Sequence, residues 1–133
     1  MFLPVLIIST DPGHRDTLAC ITSSCGLRPV GCGTLSEAKY FLAHQQFTAM
    51  LYEVPEHEDL GMAIKQLASA ENETPIVLVS RLDNWDSYLS AIAAGAFDYV
   101  DFPPYPGELE RVLCLALKDA RDRFSMRAVA HTA

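Results

Sequence analysis

Positive charge is scarce in this chain. Ten lysines and arginines stand against 17 aspartates and glutamates, a formal net charge of −7. The deficit is uneven: residues 1–117 hold six basic and 15 acidic residues, a net of −9, while 118–133 hold four and two, a net of +2. An acidic body repels phosphate backbones, which argues against direct nucleic-acid binding by the domain. The short, mixed basic end reads as a solvated terminus. No apolar run approaches the roughly 20 residues that a bilayer span needs. The apolar start, MFLPVLII, carries neither a basic n-region nor a small-residue cleavage site, so it is not a secretion signal. These absences lead to the expectation of a soluble, cytoplasmic protein with no membrane partner. The four cysteines, Cys20, Cys25, Cys32 and Cys114, form no C-x-x-C pair and no zinc spacing, and read as buried thiols in a reducing compartment. There is no Gly-rich nucleotide loop and no Ser/His/Asp order of the hydrolase kind. His14, His44 and His131 lack a partner at metal-ligand spacing, and His57 lies among acids in PEHEDLG, the pattern of a solvated turn.

What is present is alternation. The chain of 133 residues is half hydrophobic and one fifth charged, enough to bury the core of one domain. Short apolar runs, PVLII (4–8), PVGC (29–32), FTAMLY (47–52), PIVLVS (75–80) and FDYV (97–100), read as strands. Three are nearly continuous, as in strands buried on both faces of a parallel sheet. Between and after them run helical stripes: Leu18, Ile21 and Cys25; Ala38, Phe41 and Leu42; Leu60, Ala63, Ile64 and Leu67; Tyr88, Ala91 and Ile92; then Leu109, Val112, Leu113, Ala116 and Ala120. Thr34 and Glu37 form a capping box, and Gly26 and Gly95 sit where helices should end in left-handed residues. Five strands alternating with five helices through short connections predict a three-layer, doubly wound α/β sandwich. Its ligand crevice would lie at the carboxyl ends of the strands. One domain over 1–122 is expected, with 123–133 a C-terminal tail or the start of a linker.

The first strand end, VLIISTDPG (5–13), has two readings. Asp11 is either a metal-cluster acid or the N-cap of a helix with Pro12 at N1, where proline is favoured, and the cap is preferred. The other strand ends bring Glu53, then Ser80 and Arg81, then Asp101, Phe102, Pro103 and Pro104.

With these residues the chain resembles a receiver domain of bacterial two-component response regulators, over about residues 3 to 122. The most specific stretch is TPIVLVS…AIAAGAFDYVDFPPYPGELERVL (74–113). The resemblance implies a flavodoxin-like five-stranded parallel sheet in the order 2-1-3-4-5. It also implies a site, and there the chain departs from the family. The two acids that hold Mg²⁺ stand here as Ser9 and Thr10, with Asp11 beside them. The phosphoacceptor aspartate falls on Glu53. The hydroxyl and aromatic switch positions are kept as Ser80 and Tyr99. The lysine position is Phe102, followed by Pro103 where the family has a cis bond.

Magnesium demands oxygen ligands in near-octahedral geometry, and phosphoryl transfer relies on positive charge to neutralise the moving group. With the acid pair and the lysine replaced, the Mg²⁺ site is expected to be lost, leaving no metal, no cofactor and no enzyme. Glu53 is then a fixed mimic of the phosphorylated residue bonded to Ser80, a weak metal ligand with Asp11, or simply an acid in a polar crevice. Phe102 is expected to fold over that crevice or to join Tyr105 on the surface.

The function this implies is a phosphorylation-independent signalling module, a pseudo-receiver acting by protein–protein interaction on a partner or an effector domain. The implied contact face, built from helix 4, strand 5 and helix 5, carries Trp85, Tyr88, Tyr99 and Tyr105, and it could equally pair two copies as a homodimer. One alternative is an atypical phosphoacceptor working through Glu53 or Asp11. Another is a small flavodoxin-like ligand-binding domain, since STDPGHRDT superficially resembles a phosphate-cradling loop. There, however, Pro12 removes a backbone donor and Asp11 and Asp16 would repel phosphate.

Overall fold

The computed structural model of the chain describes residues 4–55, 60–68, 74–80 and 85–132, with Leu60, Ala68, 85–87 and 123–132 described as backbone only. Strands and helices alternate throughout. They are β1 (Pro4–Ile8), α1 (Pro12–Ser24), β2 (Arg28–Cys32), α2 (Leu35–His44), β3 (Ala49–Glu53), α3 (Leu60–Ala68), β4 (Ile76–Ser80), α4 (Trp85–Ala93), β5 (Asp98–Asp101) and α5 (Glu108–Thr132). The five strands pair in parallel in the order β2-β1-β3-β4-β5. This is the flavodoxin-like arrangement expected from the sequence.

The apolar runs are continuous because both sheet faces are covered. Val5 and Ile7 of β1, with Leu51, Val77, Val79 and Val100, pack under α1 and α5 against Leu18, Leu109, Val112, Leu113 and Ala116. Leu6 and Ile8, with Met50, Tyr52 and Leu78, face the other side under α2, α3 and α4, against Ala38, Leu42, Ala63, Ile64, Leu67 and Ala91. Successive residues on one strand therefore feed different cores, the two-residue alternation of a pleated strand.

Helix ends follow local chemistry. Asp11, in extended backbone, caps α1 by accepting from the backbone N–H groups of Gly13 (2.9 Å) and His14 (3.2 Å), and Pro12 occupies the first turn. Thr34 caps α2 through the Glu37 N–H. Gly26 ends α1 at φ +78°, a left-handed conformation that a side chain would strain.

Three expectations need correction. Cys20 and Cys114 are exposed and Cys25 is half-buried, and Cys32 alone is buried. The helical period explains the two exposed thiols: Leu18 and Thr22 turn α1 toward the sheet, and Val112, Leu113 and Ala116 turn α5, leaving positions 20 and 114 outside. Thr22, not Cys25, completes the buried stripe of α1, its hydroxyl donating to the Leu18 carbonyl at 2.8 Å. On α4 the buried contact belongs to Ala91, and Ile92 is exposed. The α5 backbone runs on through 123–132, and a helix there is compatible with either a tail or the start of a linker. His57, Arg81 and the Trp85 side chain lie outside the described residues. No helix among the described residues is long and apolar enough to cross a membrane.

Candidate functional site

The ladders run one residue past several strand ends, which brings the polar positions to one edge. Ser9 N–H bonds the Cys32 carbonyl (3.0 Å), Val54 N–H bonds that of Val79 (3.0 Å), and Phe102 N–H bonds that of Ser80 (2.9 Å). Ile8 pairs with Tyr52, so Ser9 falls beside Glu53, the last residue of β3.

There the two meet. The Ser9 hydroxyl, on a residue 1% exposed, donates to Glu53 Oε1 at 2.6 Å and accepts the Asp11 backbone N–H at 3.2 Å. The other carboxylate oxygen, Glu53 Oε2, lies 2.7 Å from Nδ1 of His14 in the first turn of α1. An ionised carboxylate only accepts, so this bond requires the hydrogen on Nδ1. The far side of the imidazole faces Asp11, with Nε2 3.5 Å from Oδ2. The Phe102 ring lies against the His14 ring with centroids 4.2 Å apart and a 31° tilt, while packing on the core under α1 and α5. The Phe102–Pro103 peptide is cis.

Arg15 anchors the other flank. Its guanidinium donates to the Ser9 carbonyl at 2.8 Å. The Arg15 stem crosses the end of β2 where Gly31 and Gly33 leave room: a Cβ on either would stand 3.3 Å from Arg15 atoms. Beside it the Cys32 thiol is pushed up to about 11, chiefly by burial and secondarily by the Glu37 carboxylate, against a lowering pull from Arg15.

The structure thus gathers Ser9, Asp11, Glu53 and Phe102 around a residue the sequence reading had set aside, His14. Thr10 is exposed. Ser80 is buried at the neighbouring strand end, 4% exposed. Tyr99, on β5, meets Tyr88 edge to face at 6.3 Å, and Tyr105 is 71% exposed in the connection to α5. His14 lacks a metal-ligand spacing, but it sits three residues after the N-cap, and the first turn of a helix that follows a strand faces the strand ends. That Asp-x-x-His spacing was the available signal.

Chemically, the carboxylate stands in the middle. Both Ser9 and His14 turn to Glu53, so the serine proton is committed to an acid and not to a base. A nucleophilic triad needs the base between hydroxyl and acid. Asp11 Oδ1 is committed to two backbone donors and both Glu53 oxygens have close partners. Among the described residues, no group of three or more His, Cys, Asp or Glu side chains is arranged to hold a metal ion.

No protein-family model matches the chain. Over 114 residues it is 25% identical to the response regulator PilR of Pseudomonas aeruginosa, a match covering 85% of this chain and 26% of that protein, so the chain spans about a quarter of this curated relative. Among solved structures, a CheY-like response regulator receiver domain protein of Methanospirillum hungatei superposes with a TM-score of 0.79 at 17% identity, over 92% of this chain and 99% of that one. The receiver domain of the sensor histidine kinase PA1611 of Pseudomonas aeruginosa, solved with a magnesium ion coordinated in its active-site cleft, gives 0.76 at 20% identity, over 89% and 99%. The fold is that of a response-regulator receiver domain.

Proposed function

We propose that this receiver-fold chain is a regulatory module that acts through protein–protein contact without being phosphorylated, a pseudo-receiver. One observation carries the reading: the Glu53 carboxylate is closed by the Ser9 hydroxyl and the His14 imidazole, with the Phe102 ring packed on His14. In receivers this position accepts a phosphoryl group beside a magnesium ion and a lysine. Here the hydroxyls of Ser9 and Thr10 replace the acid pair, and a phenyl ring replaces the ammonium.

The available donors fit magnesium poorly. The ion takes near-octahedral oxygen ligands at about 2.1 Å and needs carboxylate charge. Ser9 is neutral, and the Asp11 and Glu53 oxygens already hold hydrogen-bond partners. Phosphoryl transfer without that cation and without the lysine lacks the positive charge that stabilises the moving group. Both Glu53 oxygens are engaged by Ser9 and His14, and on these grounds we infer neither cofactor nor catalytic activity.

The contact surface is the side formed by α4, β5 and the start of α5. Tyr88 and Tyr99 pack on one another there, and Leu89 and Tyr105 are exposed at 48% and 71%. Aromatic and aliphatic anchors of this kind carry contact energy in interfaces. The partner is a protein or an effector domain, in the cytoplasm.

Incubation with acetyl phosphate and Mg²⁺, followed by intact-mass measurement, tests the reading. An unchanged mass is expected. A stoichiometric gain of one phosphoryl group, mapped to Glu53 or to the half-exposed Asp11, would establish the atypical phosphoacceptor instead.

A further inference from the structure

The strand ends that meet at the crevice belong to three elements of distant sequence: Ser9 and His14 follow β1, Glu53 ends β3, and Phe102 follows β5. One side chain touches both of the others. The His14 imidazole holds Glu53 Oε2 through Nδ1 at 2.7 Å, and its face carries the Phe102 ring at 4.2 Å. We infer that His14 is a positioning residue that latches the end of β3 to the β5–α5 connection, so that the state of the Glu53 carboxylate is transmitted to Phe102 through the imidazole.

The geometry supports a latch in three ways. First, His14 is itself fixed. Its backbone N–H is held by the capping carboxylate of Asp11 at 3.2 Å, and Asp11 Oδ2 stands 3.5 Å from Nε2, so the ring has a carboxylate at each nitrogen. Second, the carboxylate it holds is fixed from the opposite oxygen by Ser9, whose carbonyl is clamped by Arg15 at 2.8 Å. A short bond between two anchored groups transmits displacement; one between two mobile side chains does not. Third, Phe102 joins two structures at once. Its N–H closes on the Ser80 carbonyl at the end of β4 (2.9 Å), and its ring packs on the core under α1 and α5. Residues 102–107 link β5 to α5 and carry Tyr105, so the latch joins the polar crevice to the exposed aromatic side of the domain. This coupling is independent of phosphoryl chemistry and of what binds that side.

The test is a coupling measurement. Glu53→Gln keeps the shape of the side chain but puts an NH2 donor in place of one accepting oxygen, so one of the bonds from Ser9 and His14 must break or reverse its direction, and neither is any longer charge-assisted. Hydrogen exchange of the Phe102 amide, read by nuclear magnetic resonance on the whole chain, should speed up by about tenfold in Glu53→Gln, the scale set by loss of a hydrogen bond to a charged group. In a His14→Ala background the same glutamine should change that rate by less than about twofold, because the connection is already cut. An unchanged Phe102 amide in Glu53→Gln, or an equal effect with and without His14, overturns the latch. The unsubstituted protein supplies a second measurement that depends on no variant folding. Proton–proton contacts between the His14 imidazole and the Phe102 ring should be observed, and their absence overturns the proposal equally.

Discussion

Ser9 and Thr10 are neighbouring hydroxyl residues just past the end of β1, yet the fold treats them differently, and removing each hydroxyl measures the difference. Ser9 is 1% exposed, and its Oγ makes the 2.6 Å bond to Glu53 while accepting the Asp11 N–H. Ser9→Ala deletes one charge-assisted hydrogen bond, which contributes about 1.5–3 kcal/mol when buried. It also strips a partner from a backbone N–H close to solvent, a smaller loss of about 0.5 kcal/mol that water partly restores. Glu53 is 13% exposed on its side chain, so water can reach part of the vacated carboxylate, and the lower half of the range applies. The expected destabilisation is about 2 kcal/mol, or a fall of about 6 °C in the melting midpoint for a domain of this size. Thr10 is exposed, and Thr10→Ala should fall within about 0.5 kcal/mol of the unsubstituted protein. Urea unfolding followed by circular dichroism reads both, with unchanged slope as the sign that the denatured state is not involved. Equal losses in the two variants, or a Ser9→Ala loss under about 0.5 kcal/mol, would refute the assignment of Ser9 as the hydroxyl that closes the site.

Phe102→Ala removes a half-buried ring from the core under α1 and α5 together with its stack on His14. About half of a full core truncation, roughly 2 kcal/mol, is expected in the same urea assay, and a loss below about 0.5 kcal/mol would place the ring in solvent. The thiols should divide by exposure: Cys20 and Cys114 react with a maleimide in the folded protein, whereas Cys32 reacts only on unfolding, as peptide mapping after timed labelling will show. The buried Cys32 thiol also gives a pH signature. Its folded pKa, pushed up to about 11 chiefly by burial, lies above the ordinary thiol value of 9.0, so the unfolded chain loses its proton first. The stability it contributes is therefore complete below pH 9 and is lost as pH rises toward 11; Cys32→Ala should flatten that part of the stability profile, and an unchanged slope would count against it.

The fold was legible because its signals are local and redundant. The continuous apolar runs at 4–8 and 76–80, the Asp11–Pro12 cap and the glycine at position 26 each state their structure within a few residues, and all agree. The strand-end rule also pointed to Ser9, Glu53 and Phe102 before any contact was visible. What it missed follows from the same physics. A residue's partner across a parallel sheet is set by register and not by proximity in the chain: the Ser9–Glu53 bond spans 44 positions and the His14–Glu53 bond 39. No spacing rule contains such a pair. His14 was judged against metal spacings, in which ligands converge on one point, whereas its two nitrogens face two different carboxylates in opposite directions. Cys20 and Cys114 were misplaced for a related reason. Residue type predicts average burial, but the phase of a helix decides each position, and the phase of α1 is carried by Leu18 and Thr22. The crevice reverses that logic. Its residue types, a serine, a glutamate, a histidine and a phenylalanine, are individually ordinary on a surface, and they become a closed network because three strand ends bring them within bonding distance. Side chains that look unrelated when read one position at a time are, in the fold, mutually satisfied: the imidazole holds one oxygen of Glu53, the Ser9 hydroxyl holds the other, and the Phe102 ring packs against that imidazole.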